Sequence, residues 1–225
     1  MDSVHINVTS VNICRYDGAV PAPTKPYHHG NLRAALVDAG AELARANGPD
    51  GVVLREVARR TGVSHNAAYR HFADRDELLG EIASLAAAQL EQAMQRRLDG
   101  VREADPATRS RARLRETGRA YVEFALSEPG LFTVAFCPIE TDDPSTMADA
   151  GPYLLLGQVL DELVEAGALS PAGREGADVA CWAAVHGLSV LLLDGPLRGL
   201  PPADREAVLE KLLVTIEQGL TGSMG

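Results

Sequence analysis

The side chains best suited to recognition chemistry fall in one short run. Two apolar-patterned stretches, at about 54–60 and 65–71, flank Thr61-Gly62-Val63-Ser64. Glycine lets the backbone reverse and serine is a good helix N-cap, so the run predicts a helix-turn-helix. Turning Val57, Ala58, Val63, Ala68 and Phe72 inward leaves His65, Asn66, Ala67, Tyr69 and Arg70 facing out. These outward types suit a DNA groove. Asn and His bond base edges, Arg reaches guanine or phosphate, Ala meets a thymine methyl, and a Tyr hydroxyl meets phosphate. Pairs of short helices are common in bundles, so the pattern by itself is only moderately specific for DNA.

Other chemistries are thinly represented. Cys14, Cys137 and Cys181 are odd in number, far apart and without paired histidines, which predicts three reduced thiols rather than a disulfide framework or a metal site. Gly40, Gly48 and Gly51 do not have phosphate-loop spacing, and no nucleophile stands paired with a base. The chain is therefore expected to be no enzyme, with no catalytic residues and no cofactor.

The elements that must position the reading run are helical. The chain has 225 residues, 46% of them hydrophobic and 4% aromatic, and i, i+3, i+4 apolar spacing recurs almost throughout. The expected fold is all-α, with a three-helix head, a long connecting helix and a helical-bundle body. Residues 1–26, with Pro21, Pro23 and Pro26, read as a disordered arm, 27–75 as the head and 76–225 as the body. In the first helix Leu32, Leu36, Ala39, Leu43 and Ala46 share a face before Asn47-Gly48-Pro49. The connecting helix starts at Asp74 as cap and carries Leu78, Ile82, Leu85 and Gln89 or Leu90 towards Leu98. Further helices are expected at about 107–127, 130–137, 147–167, 173–194 and 203–219, with a solvated loop at 138–149.

Charge is uneven. The whole chain carries −10, which alone argues against a polyanionic partner. Residues 25–75, however, carry a net +3 and four of the six histidines, against −12 over residues 76–225. So small an excess does not establish nucleic-acid binding by itself. With neither a leader pattern nor an apolar run long enough to span a bilayer, no membrane partner and a cytoplasmic location are expected.

Residues 54–79, LREVARRTGVSHNAAYRHFADRDELL, resemble the DNA-binding domain of the TetR (AcrR-like) family of bacterial repressors. That resemblance implies base reading by His65, Asn66, Ala67 and Arg70, and phosphate contacts from Arg55, Tyr69, His71 and Arg75. There are two departures. Val52 and Val53 stand where the family has a Ser or Thr cap, which predicts a frayed start to the second helix. Arg75 replaces a lysine, keeping the charge but changing its geometry. Two further strings, YVEFALSEPGLF at 121–132 and WAAVHG at 182–187, resemble the WHG-type TetR C-terminal domain.

This implies a homodimer joined through its last two helices, and Trp182, His186, Leu188 and Leu192 are expected at the interface. It also implies a partly palindromic double-stranded operator and a small-molecule inducer. Recurring aromatics at Tyr121, Phe124, Phe132, Phe136 and Tyr153 are the candidate pocket. Aromatics at helical spacing are more often core, and Trp182 also suits core packing. The competing reading is a helical homodimer that binds a ligand or partner without reading DNA sequence.

Overall fold

The computed structural model describes residues 32–136 and 151–222, so the expected arm, the 138–149 loop, Cys14 and Cys137 lie outside the described residues. Among the described residues every regular element is a helix. They divide into two compact units, one reaching Ala87 and including the segment from Gly130, the other comprising Ala88–Pro129 and the residues from Gly151.

The first unit begins with α1 (Leu32–Asn47) and a 3-10 turn (Pro49–Gly51), followed by α2 (Leu54–Arg60) and α3 (His65–Ala68). α1 buries Leu36, Gly40, Ala41, Leu43 and Ala44. The inward face is thus rotated from the expected one: Ala39 is half-buried and Ala46 exposed, while Gly40, Ala41 and Ala44 are buried. Gly40 explains the shift, because a Cβ there would come within 2.7 Å of Ile82 Cδ1. The close approach sets which face of α1 turns inward.

Between α2 and α3 the chain makes a complete Schellman turn. Gly62 has φ +71° and its N–H donates to the Arg59 carbonyl, while the Val63 N–H donates to that of Ala58. Ser64 then caps α3, its hydroxyl accepting from the Ala67 N–H at 3.2 Å. α3 is one turn long, shorter than the expected 65–71. The His71 and Phe72 N–H groups both donate to the Ala68 carbonyl, so the chain tightens and drives Phe72 to zero exposure.

α4 (Arg75–Leu98) runs on from there. Asp74 caps it, accepting from the Glu77 N–H at 2.8 Å, and Glu77 reaches back to the Ala73 N–H at 2.6 Å, close to a capping box. Its buried positions include Leu78, Ile82, Ala86, Leu90, Met94 and Leu98. Leu85, expected inward, is half-buried, and of Gln89 and Leu90 it is Leu90 that is buried. The division between units falls within this helix, at Ala87–Ala88.

The second unit packs the later turns of α4 with α5 (Pro106–Ser127), α7 (Gly151–Glu165), α8 (Pro171–Arg174), α9 (Ala177–Leu193) and α10 (Pro202–Thr221). α6 (Pro129–Ala135) lies almost wholly in the first unit. The single helix expected over 173–194 is broken at Gly176, whose φ is +72°. Arg174 pins α8 back onto α7 through Asp161 at 2.7 Å.

Arginines bind the second unit together. Arg97 of α4 reaches Glu116 at 2.8 Å and Glu123 at 2.6 Å on α5, and Arg113 of α5 reaches Glu162 on α7 at 2.6 Å. Arg115 reaches Glu217 on α10 at 2.6 Å, and Arg119 pairs with Glu206 and Glu210. The buried hydroxyls of Thr117 and Ser189 donate to carbonyls one turn back, so neither leaves a buried donor unmet. In the same core the Tyr121 hydroxyl and His186 Nδ1 lie 2.9 Å apart. Burial pushes the Tyr121 phenol well above its ordinary range and His186 below its ordinary 6.5, so both are neutral at pH 7.

Two outcomes follow. Because a Cβ at Gly62 would meet no atom within 4 Å, Gly62→Ala isolates the cost of the left-handed backbone, about 1–2 kcal/mol. Urea unfolding should show a lower midpoint with an unchanged slope, and an unchanged midpoint would contradict the turn. His186 binds its proton less readily folded than unfolded. The stability this confers is complete above about pH 6.5 and is lost as pH falls through the depressed folded value. Thermal unfolding between pH 7.5 and 5 should therefore show a smaller pH-dependent loss for His186→Gln than for the unsubstituted chain.

Candidate nucleic-acid interface

The site is built on one helical turn that has little stability of its own. Ser64 closes its start. Its far end is held by Arg33 of α1, whose guanidinium sits 4.3 Å from the Phe72 ring centroid. Arg33 also donates to the His71 carbonyl and pairs with Glu81 at 2.7 Å and Glu77 at 3.3 Å on α4. The hydrogen bond to Glu81 is the chief cause raising the Arg33 pKa above its ordinary value. One side chain thus gathers α1, the end of the reading segment and α4.

On the platform so formed, His65, Asn66, Tyr69 and Arg70 are exposed and Ala67 is half-buried. The His65 and Tyr69 rings meet edge to face at 4.4 Å, giving the outward surface a fixed aromatic ridge. Asn66 stands beside it. Arg55 on α2 is exposed as well, and neither it nor Arg70 has an ion pair among the described residues. Arg59 and Arg60 are differently placed: both hydrogen-bond Glu56, which they hold down at a pKa of about 2. That single carboxylate offsets one of the two α2 charges and orients both guanidinium groups along the helix.

His71 is half-buried and its carbonyl is taken by Arg33. Arg75 turns inward: its Nε donates to the Val52 carbonyl at 3.0 Å and its Nη2 to that of Pro49 at 2.7 Å. Asp50 and Asp76 lie 3.7 and 3.6 Å from the same guanidinium. Val53 stands at the N-cap of α2 in extended conformation with no side-chain cap, as its type dictates. α2 nevertheless begins at Leu54, next to Val52, which has zero exposure and whose carbonyl accepts from Arg75. Neither Arg33 nor the inward turn of Arg75 could be read from spacing, since their partners lie 23 to 48 residues away.

The five aromatics expected to form one pocket are dispersed. Phe132 and Phe136 pair at 4.8 Å in the first unit. Phe124 lines a polar groove of about 530 Å³ beside Gln92, Arg96 and Glu123. Tyr121 and Tyr153 flank Trp182, with centroids at 5.1 and 5.6 Å. Burial, with Asp178 alongside, pushes Tyr153 up to about 12. Of the five only Tyr121 lines the apolar cavity of about 20 Å³, which also takes in Met94, Leu156, Trp182, Val185 and Leu213.

The residues expected at a subunit interface are also redistributed. Trp182, Leu188 and Leu192 are buried within the chain's own core, at 6%, 6% and 2% exposure. The opposite side of α9 exposes Ala180, Ala183, Val190 and Leu191, with His186 and Gly187 half-buried. Among the described residues no group of three or more His, Cys, Asp or Glu could hold a metal ion. No helix among them is long and apolar enough to cross a membrane.

Comparison with known proteins agrees with this architecture at both ends. Residues 36–82 match the family described as bacterial regulatory proteins, tetR family, and residues 114–216 match the tetracyclin repressor-like C-terminal domain. Over 57 residues the chain is 32% identical to an HTH-type transcriptional repressor of Mycobacterium tuberculosis, covering 25% of this chain and 30% of that protein. The match thus spans about 30% of the length of the mycobacterial relatives. It is 26% identical over 195 residues to YobS, an uncharacterized HTH-type transcriptional regulator of Bacillus subtilis, covering 86% of this chain and 93% of that one. A Rhodococcus protein of unknown function superposes with a TM-score of 0.72 at 29% identity, over 88% of this chain and 100% of the other. The fold is also that of the Bacillus subtilis regulator FadR in complex with stearoyl-CoA, at a TM-score of 0.61, 15% identity, and 83% and 98% coverage. With both characteristic domains in order along one chain whose described elements are all helices, the protein belongs to the TetR family of bacterial regulatory proteins.

Proposed function

We propose that the chain is a DNA-binding transcriptional repressor that acts as a homodimer and leaves its operator when a small, mainly apolar ligand binds the body. One observation carries the DNA reading: the capped α3 and the turn after it present His65, Asn66 and Arg70 to solvent on a platform held by Arg33. Asn66 suits an adenine edge and Arg70 a guanine edge or phosphate, His65 bonds a base edge, and Ala67 meets a thymine methyl. Arg55 and Tyr69 supply phosphate contacts, with His71 flanking them. Two copies related by a two-fold axis would read a partly palindromic duplex with half-sites about one helical turn apart.

The exposed side of α9 supports the dimer. Ala180, Ala183, Gly187, Val190 and Leu191 recur at helical spacing, and a Cβ at Gly187 would meet nothing within 4 Å of its own chain. That leaves room for a second helix to approach closely. Ligand response is supported by the apolar cavity and by FadR, which was solved with stearoyl-CoA. At about 20 Å³ the cavity holds little more than one water molecule. Any inducer must therefore part the lining, and Met94 of α4 belongs to that lining. Ligand entry and movement of the connecting helix would be one event, and by linkage the inducer binds free protein more tightly by the factor it weakens DNA binding.

Selection on random duplexes at low salt should enrich a partly palindromic sequence. Asn66→Ala should then relax choice at one or two positions, at a cost of about 1–3 kcal/mol; enrichment of no sequence would end the DNA reading. For the dimer, Leu191→Glu or Val190→Glu should yield a folded monomer by sedimentation, because a charge is placed in a dry interface. The same change at Leu188 should unfold the chain instead. A Leu191→Glu protein that still sediments as a clean dimer would refute the α9 interface.

A further inference from the structure

We infer that Arg75 is a positioning residue for DNA reading, which fastens the uncapped start of α2 to the start of α4 and makes no phosphate contact. The inference rests on the proposed DNA reading and concerns a residue whose charge and place would otherwise assign it to the DNA backbone.

The geometry is specific to a guanidinium. The Nε and Nη2 donors of one planar fork bond two carbonyls three residues apart, Val52 at 3.0 Å and Pro49 at 2.7 Å. Pro49 also accepts the Val52 N–H at 3.0 Å, so the fork closes onto a segment already folded back on itself. This segment leads directly into Val53, the N-cap of α2, which has no side-chain acceptor to offer. In a helix entered through Ser or Thr the side chain would fix the first turn. Here the entry is fixed from outside, by the first residue of α4.

The electrostatics point the same way. Asp50 at 3.7 Å and Asp76 at 3.6 Å bracket the guanidinium, so a phosphate brought to it would meet two carboxylates as well. Its two best-placed donors are already engaged. What Arg75 can transmit is position: any displacement of the α4 start is carried through two hydrogen bonds to the entry of α2, and α2 and α3 are joined by a tight Schellman turn.

The test uses the full chain and the duplex enriched by selection, with Arg75→Ala, Arg75→Lys, Val53→Thr and the double variant Arg75→Ala/Val53→Thr. Val53 is half exposed at 50%, so threonine of the same shape can be placed there without disturbing the core. Arg75→Ala should weaken operator binding at least tenfold while leaving the slope of log affinity against log salt unchanged. Loss of a phosphate contact would lower that slope by about 0.9. Arg75→Lys should behave like Arg75→Ala, because a single ammonium does not reproduce a two-carbonyl fork. Val53→Thr should restore binding several-fold in the Arg75→Ala background and change little alone.

Without DNA, amide hydrogen exchange at Glu56 and Val57 should accelerate in Arg75→Ala and return towards its original rate in the double variant. A slope reduced by about one, full retention of binding by Arg75→Lys, or no rescue by Val53→Thr would each overturn the inference. If the unsubstituted chain bound no duplex, the DNA reading would fail on its own. The exchange measurement would then decide the tether, and unchanged rates would overturn that too. Should Arg75→Ala fail to fold, Arg75→Lys and the double variant carry the same comparison.

Discussion

The first unit depends on the seating of Phe72 beneath Arg33. A four-residue helix cannot persist in water through its own hydrogen bonds, since nucleation costs more than one turn returns. α3 exists because its two ends are held by groups outside it: the Ser64 hydroxyl at the start, and at the finish a fully buried phenylalanine whose ring is covered by a guanidinium. That guanidinium is itself oriented by Glu77 and Glu81. Losing the Phe72 seat would free the last turn, and the outward side chains would no longer share a surface.

In the second unit the same residue type serves a different purpose. Arg97, Arg113, Arg115 and Arg119 project from α4 and α5 and meet carboxylates on α5, α7 and α10. Isolated surface ion pairs contribute little. These are partly shielded, share partners and join four helices, so their main effect is to select one register among the many that smooth apolar faces would permit. The composition makes such selection useful, since α9 is apolar on nearly every side and its apolar pattern alone does not say which face turns inward.

That ambiguity marks what the sequence could and could not disclose. The helix-turn-helix was legible because Gly62 and Ser64 have single physical meanings at a turn and a cap, and the Asp74 start of α4 was legible for the same reason. The break at Gly176 has no such marker, because a glycine between Glu175 and Ala177 at the polar start of a long apolar helix reads as tolerated. Trp182, Leu188 and Leu192 were placed at an interface because hydrophobic periodicity reports burial without saying by whom; the chain's own α5, α7 and α10 bury them. The scattered aromatics teach the same point, since Phe132 and Tyr121 lie near one another in sequence yet belong to different units. Arg33 and Arg75 carry no local signature, because a cation's partner is set by tertiary structure.

For the proposed DNA reading, an acidic chain must keep a usable field around α3, and here that field is sparse. Glu56 offsets one of the two charges of Arg59 and Arg60, the carbonyls of Pro49 and Val52 take up the donors of Arg75, and Glu77 with Glu81 take up Arg33. Arg55 and Arg70 are left as the exposed cations of α2 and the α3 turn without an ion pair among the described residues. Non-specific affinity grows with the number of neutralised phosphates, so a head with so few free cations would bind arbitrary duplex weakly. For the proposed DNA reading, the discriminating energy would then come mainly from base edges and from the simultaneous seating of two heads. On that reading, the capping of α3 at Ser64 and the hold of Arg33 on its far end would matter most, since weak general attraction leaves little tolerance for misplaced base contacts.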